Sequence, residues 1–296
     1  YSNTPHYEMV EHEIRHSFLE YTELAFFLLV AMTYINALEE RNVFNSLKSW
    51  LIKNQFSYRQ LFWITGVLAF FLSPLADNLT TALVLCAVVV AVGSSSPKFV
   101  GLACVNIVVA ANAGGAFSPF GDITTLMVWQ AGQLDFLQFF ALVIPSVVNY
   151  IIPASIMHFF VSDHKPDVAE TSVTIKYGGK TIILLGLLTI VTAVSFHNFL
   201  HLPPVFGMMT GLAYLQLYSF YIKISVKDIE EQKYDFFENV ARVEWDTLLF
   251  FFGVILSVGG LGFIGYLEYV SEFMYTDLGA TTANVLVGIL LSLIHI

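Results

Sequence analysis

Apolar runs close to 20 residues long recur along the whole of this chain, and that property removes most folds from consideration. A hydrocarbon core about 30 Å thick needs about 20 apolar residues in a helix to cross it. Inside lipid only helices and closed barrels satisfy every backbone polar group. The candidate spans are 22–38, a pair at 60–72 and 79–92, an interrupted segment at 99–130, then 136–161, 181–196, 204–222, 245–267 and one starting at Gly279. Only 12% of the residues are charged, against about 25% in a soluble domain. The expected fold class is an all-α polytopic membrane protein. The net charge of −10 sits mostly in the N-terminal segment and in residues 228–246, so it does not signal a partner for an acidic surface. Cys86 and Cys104 lie in apolar segments without metal-type spacing and read as small core hydrophobes.

The pair at 60–92 is unusual. Its two arms would each reach roughly 20 Å at about 1.5 Å per residue, short of a bilayer core. Short arms joined by Ser73-Pro74 and Asp77-Asn78 predict a re-entrant hairpin whose tip stops inside the membrane, where protein or a water-filled cavity must surround it. Basic residues agree with a chain that leaves and returns on one side. Of the 13 Lys and Arg, all but Arg15 then fall on one face, which the positive-inside rule places in the cytoplasm. Two full spans would have the same parity, so arm length decides between the two. Residues 1–21 become an extracytoplasmic segment, 22–290 the membrane domain, and 225–244 either an amphipathic interfacial helix or a solvated loop.

Two polar interruptions carry the chemistry. At the hairpin tip, Pro74 is expected to end the first arm near Leu72 or Ser73, and Asp77 or Asn78 to cap the second, with Thr80 and Thr81 in its first turn. The second break runs from Ala111 to Asp122, where Gly114, Gly115, Gly121 and Pro119 interrupt the helix near Asn112, Ser118, Asp122, Thr124 and Thr125. An acid inside hydrocarbon costs about 2.5–3.5 kcal/mol on insertion scales, so Asp77 marks a functional site. Paired discontinuous helices form the ion sites of many secondary transporters. The carboxylate of Asp77 and the amide oxygen of Asn78 are hard oxygen ligands suited to sodium.

The run Ser73-Pro74-Leu75-Ala76-Asp77-Asn78-Leu79-Thr80-Thr81 resembles the first signature of NhaD-type sodium/proton antiporters, within the ion transporter superfamily. The run from Ala111 through Ser118-Pro119-Phe120-Gly121-Asp122 to Gln130 is similar to their second, and residues 30–41 and 243–251 support it. The resemblance covers about 19–290. It implies an inverted-repeat, elevator-type scaffold and an ion site bearing Asp77, Asn78, Thr80, Asn112, Ser118 and Asp122. It also implies exchange of sodium or lithium for protons across a bacterial inner membrane. The expected partners are lipid, sodium ions, protons and a second copy of the chain in a homodimer, with no cofactor and no nucleic acid. A second hairpin and broken helix would be expected beyond Leu290. The run 291–296 departs from that pattern, so the second repeat is expected to be incomplete here, with truncation at the C-terminus and at an N-terminus that lacks Met.

Two other readings compete. A sodium-coupled anion or carboxylate carrier of the same superfamily would be expected to show Ser-Asn-Thr at the tip, where this chain has an acid. His12-Glu13-Ile14-Arg15-His16 is a literal zinc-protease helix motif, with Glu20 as a conceivable third ligand, but it lies in a polar juxtamembrane segment with no apolar cleft apparent. Glu23, Asn36, Asn106 and Asn149 are polar residues inside spans, explained equally by interhelical hydrogen bonds or by an ion path.

Overall fold

The computed structural model describes residues 6–54, 56–76, 78–93, 96–165, 173–225 and 234–294. The described regular structure is helical, without a strand. Seven described helices are long and apolar enough to cross a membrane, and Asn78–Val92 and Ala280–Leu290 are shorter apolar helices. The chain divides into two compact units, one of residues 26–243 and one of residues 1–25 with 244–296.

Helix α1 (His6–Glu40) is longer than the span at 22–38. No helix breaker intervenes before Asn42, which adopts a left-handed φ of 60°, and an Arg15–Glu11 pair at 2.7 Å supports the exposed first turns. The short helix α2 (Val43–Lys53) was not anticipated, because only Ser49, Leu51 and Ile52 bury and no apolar run announces it.

The segment expected to form the hairpin folds as α3 (Tyr58–Ala76) and α4 (Asn78–Val92), and α3 is long and apolar enough to cross a membrane, so arm length no longer distinguishes a re-entrant hairpin from two spans. Here the boundary differs from expectation: α3 continues through Pro74 to Ala76, giving a first arm of 19 residues, about 28 Å long. Helix α5 (Pro97–Gly115) packs along α3, and α6 (Ile123–Gln130) resumes after the break at 116–122. A 3-10 segment (Phe136–Leu142) leads into α7 (Val143–His158). Leu61, Phe62, Ala69 and Phe70 of α3 share one buried core with Ala103, Ile107 and Ala110 of α5 and with Tyr150 and Ala154 of α7. Small residues let the backbones approach, as is usual where lipid offers no hydrophobic driving force between helices.

Helices α8 (Gly179–Leu200) and α9 (Pro204–Ser225) form the other close pair of this unit. A Cβ at Gly207 would overlap the Ala193 backbone, and one at Gly211 would overlap Thr189. These two glycines are a G-x-x-x-G pair that the sequence displays openly. Tyr34 of α1 donates its hydroxyl to Gly211 O at 2.7 Å and accepts from Thr189 Oγ1 at 2.9 Å.

The loops that carry basic residues meet at one end of this unit. Tyr58 N bonds His164 O, Val173 N bonds Ser49 Oγ, and Lys176 N bonds Arg41 O. Arg242 reaches Glu39 at 2.9 Å, just after the short helix α10 (Phe236–Ala241); residues 226–233 of the segment expected as an interfacial helix or a solvated loop lie outside the described residues. At the opposite end Trp129 and His197 lie ring to ring at 5.0 Å.

The second unit contains the first turns of α1, α11 (Trp245–Phe263), α12 (Tyr266–Glu272) and α13 (Ala280–Ile294). Phe18 and Tyr21 pack edge-on against Phe252, and Ser17 fills the space beside Gly259.

Candidate functional site

The hairpin tip and the break in the α5–α6 segment meet. Pro74 has no N–H, so the Phe70 carbonyl loses its helical donor. The Gly114 backbone lies against that carbonyl, and a Cβ at 114 would overlap it. Two side-chain hydroxyls then brace the last turn of α3. Ser73 Oγ donates to Ala111 O at 2.6 Å, and Ser118 Oγ donates to Pro74 O at 3.1 Å. The helix tolerates Pro74 because a neighbouring segment surrounds the freed backbone, which the sequence around residue 74 alone does not reveal.

Beyond the break, Asp122 caps α6. Its Oδ1 accepts from Thr124 N at 2.9 Å and from Thr124 Oγ1 at 2.8 Å. Thr125 Oγ1 lies 2.8 Å from both Ser118 O and Asp122 O, pinning the loop between them. Gly115 and Gly121 face each other so closely that a Cβ on either would meet the other's backbone. The two ends of the break are thereby held together.

Asn78, the first residue of α4, joins the two elements. Its Nδ2 donates to Asn112 Oδ1 at 3.0 Å and to Asp122 Oδ2 at 2.6 Å. Asn112 Nδ2 donates in turn to Val108 O at 2.9 Å. Asn78 and Asp122 are half-buried and Asn112 is exposed at the surface of the isolated chain. Among the described residues Asp122 forms no ion pair, so no Lys or Arg balances it.

Of the six residues expected at the site, Asn78, Asn112 and Asp122 come together. Ser118 is buried nearby but serves the Pro74 carbonyl. Thr80 lies half-buried in the first turn of α4, and the Asn78 contacts are made without it. Asp77 lies outside the described residues. Thr124, Thr125 and Ser73 brace the site. The first two stand within the break motif, whereas Ser73 reads as a mere neighbour of Pro74 until α5 is packed against it.

The polar residues inside spans divide. Asn36 donates to Asn239 O at 3.0 Å and Asn106 to Phe62 O at 2.8 Å, so both tie segments together. Asn149 is exposed. His12 and His16 stand exposed on α1, with His16 Nδ1 3.5 Å from Glu20, and no group of three metal-ligating side chains gathers among the described residues. Outside the spans, Tyr234 is buried beneath the Arg41 guanidinium, 4.8 Å from its ring centre; burial, then the Glu40 charge, raises its phenol above the usual range.

The sequence profile of the citrate transporter family (CitMHS) matches residues 10–296. The chain belongs to this family. Within it, the chain is 51% identical to the Na(+)/H(+) antiporter NhaD of Vibrio cholerae over 99% of its own length and 66% of that protein's. It is 52% identical to NhaD of Vibrio parahaemolyticus over 95% of its length and 73% of that relative. Sodium/proton antiporter 1 of Arabidopsis thaliana is 31% identical over 91% of the chain and 47% of the relative. This family member is thus of NhaD type, a multi-pass membrane transporter, and it spans about two thirds of the length of the bacterial relatives it matches.

Proposed function

We propose that the whole protein of which this chain is part exchanges sodium for protons across a bacterial inner membrane, with lithium as the alternative cation. The observation that carries the reading is the Asn78 amide joining Asn112 and Asp122. It brings a hairpin tip and a helix break to one polar point that bears a carboxylate and, among the described residues, no basic partner. Both elements belong to apolar helices, and the NhaD relatives share the chain at about half identity. A cation supplied from solution would complete the charge balance. Asp77 is the carboxylate proposed to exchange a proton for sodium, with Asp122 as the second acid of the site, Asn78 as an oxygen ligand, and Asn112, Thr80 and Ser118 shaping it. The proposed partners are lipid, sodium ions, protons and a second copy in a homodimer.

The test is sodium-dependent collapse of a pH gradient in everted vesicles carrying the full-length protein. Asp77→Asn is expected to abolish it, and retained exchange in that variant would remove Asp77 from its role. Sodium-dependent uptake of labelled citrate, with no collapse of the pH gradient, would refute the exchange reading.

A further inference from the structure

The Asn78 amide has two N–H bonds and one oxygen, and the broken helix takes both N–H bonds. The orientation follows from donor and acceptor chemistry. An ionised carboxylate oxygen only accepts, so the Asn78 atom 2.6 Å from Asp122 Oδ2 has to be the nitrogen. Asn112 is oriented by the same logic. Its Nδ2 donates to Val108 O in its own helix, which turns its Oδ1 toward Asn78. Asp122 is anchored through its other oxygen, which accepts from the Thr124 amide and hydroxyl. Each hydrogen bond in the chain from Val108 to Thr124 therefore permits the next.

We propose that Asp122 and Asn112 are positioning residues that lock the Asn78 amide with its Oδ1 turned away from the broken helix, and that this oxygen, rather than Asp122, is the sodium ligand contributed here. The proposal rests on the sodium–proton exchange reading above. It divides the labour of the site: Asp122 orients and Asn78 binds.

The test uses the full-length protein in everted vesicles and reads three quantities: the sodium concentration for half-maximal exchange, the maximal rate, and the pH profile at saturating sodium. Asp122→Asn keeps an oxygen to cap α6 but sets an NH2 group opposite Asn78 Nδ2, so the amide loses one of the two acceptors that hold its Oδ1 toward the ion. The expected result is a rise of about tenfold or more in half-saturating sodium, with the maximal rate and the pH profile little changed. A rise in half-saturating sodium at an unchanged maximal rate does not follow from a purely structural cap.

An unchanged sodium dependence in Asp122→Asn would overturn the proposal, because Asn caps a helix as well as Asp and a cap alone would be silent. Loss of turnover at every sodium concentration, with a flattened pH profile, would also overturn it and make Asp122 the proton carrier. Should Asp122→Asn fail to accumulate in the membrane, Asn112→Leu removes the other acceptor; it is expected to raise half-saturating sodium by about threefold or more, and no change would again overturn the proposal. Failure of the unmutated protein to exchange sodium is a separate outcome. It refutes the functional reading before any variant is compared.

Discussion

Two asparagines in this protein are wired alike and sit in opposite electrostatic settings. Asn239, at the end where the basic loops meet, donates from Nδ2 to Glu40 Oε2 and to Asp235 O. Asn78, at the hairpin tip, donates from Nδ2 to Asp122 Oδ2 and Asn112 Oδ1. Around Asn239 the acids are matched inside the protein: Arg41 pairs with Glu40 at 2.8 Å, and Arg242 with Glu39 at 2.9 Å. Around Asn78 the acid has no internal cation among the described residues. In the first cluster Glu39 and Glu40 each have an arginine partner, and the cluster fastens the 234–243 segment to α1. The second is electrostatically open, and it is the one placed between two interrupted helices. The same amide–carboxylate contact is thus a fastener where the charge is balanced and the proposed binding site where it is not.

This contrast can be broken or sharpened by substitution. The largest effect is expected from Gly114→Val, because the new side chain would collide with the Phe70 backbone at the joint that presents the tip. A loss above about 3 kcal/mol is expected, seen as little folded protein in the membrane or early thermal unfolding in detergent. Arg41→Ala removes the fully buried guanidinium from Glu40 and Tyr234. It is expected to cost about 3 kcal/mol of stability and to leave the sodium dependence of the surviving protein unchanged. Asn112→Lys does the reverse by supplying the tip with the internal cation it lacks. Folding should be retained while half-saturating sodium rises about a hundredfold, equivalent to about 2.8 kcal/mol. A Lys at 112 that left exchange intact would end the claim that the open charge matters. Arg242→Ala is expected to have the smallest effect, below about 1 kcal/mol in thermal unfolding, because that pair is half-exposed to solvent.

Much of this arrangement was legible in the residues. Hydropathy placed the spans to within a few residues from α5 onward. Glycine, proline and paired polar residues marked both breaks. Three of the six expected site residues, Asn78, Asn112 and Asp122, meet in space. Other features were less visible. Pro74 predicted a helix end that the structure does not show, because Gly114 and Ser118 of the neighbouring segment accommodate the disrupted last turn of α3. Ser118 proved to be a backbone brace for a reason that residue type cannot supply, since a hydroxyl serves an ion or a carbonyl equally well. The amphipathic helix α2 is too short to register as a span.

The sequence by itself determined that the chain is a bundle of membrane-crossing helices with two polar interruptions. Both properties are local: a run of about 20 apolar residues and the chemistry of Pro and Gly act over one or two turns. Only the tertiary structure decided which polar groups touch. Asn78 finds its partners 34 and 44 residues away. That meeting depends on how α3, α4 and α5 are rotated about their axes and on how closely Gly114 lets them approach. Those rotations are set by the packing of small residues across helices, a property that no single segment carries.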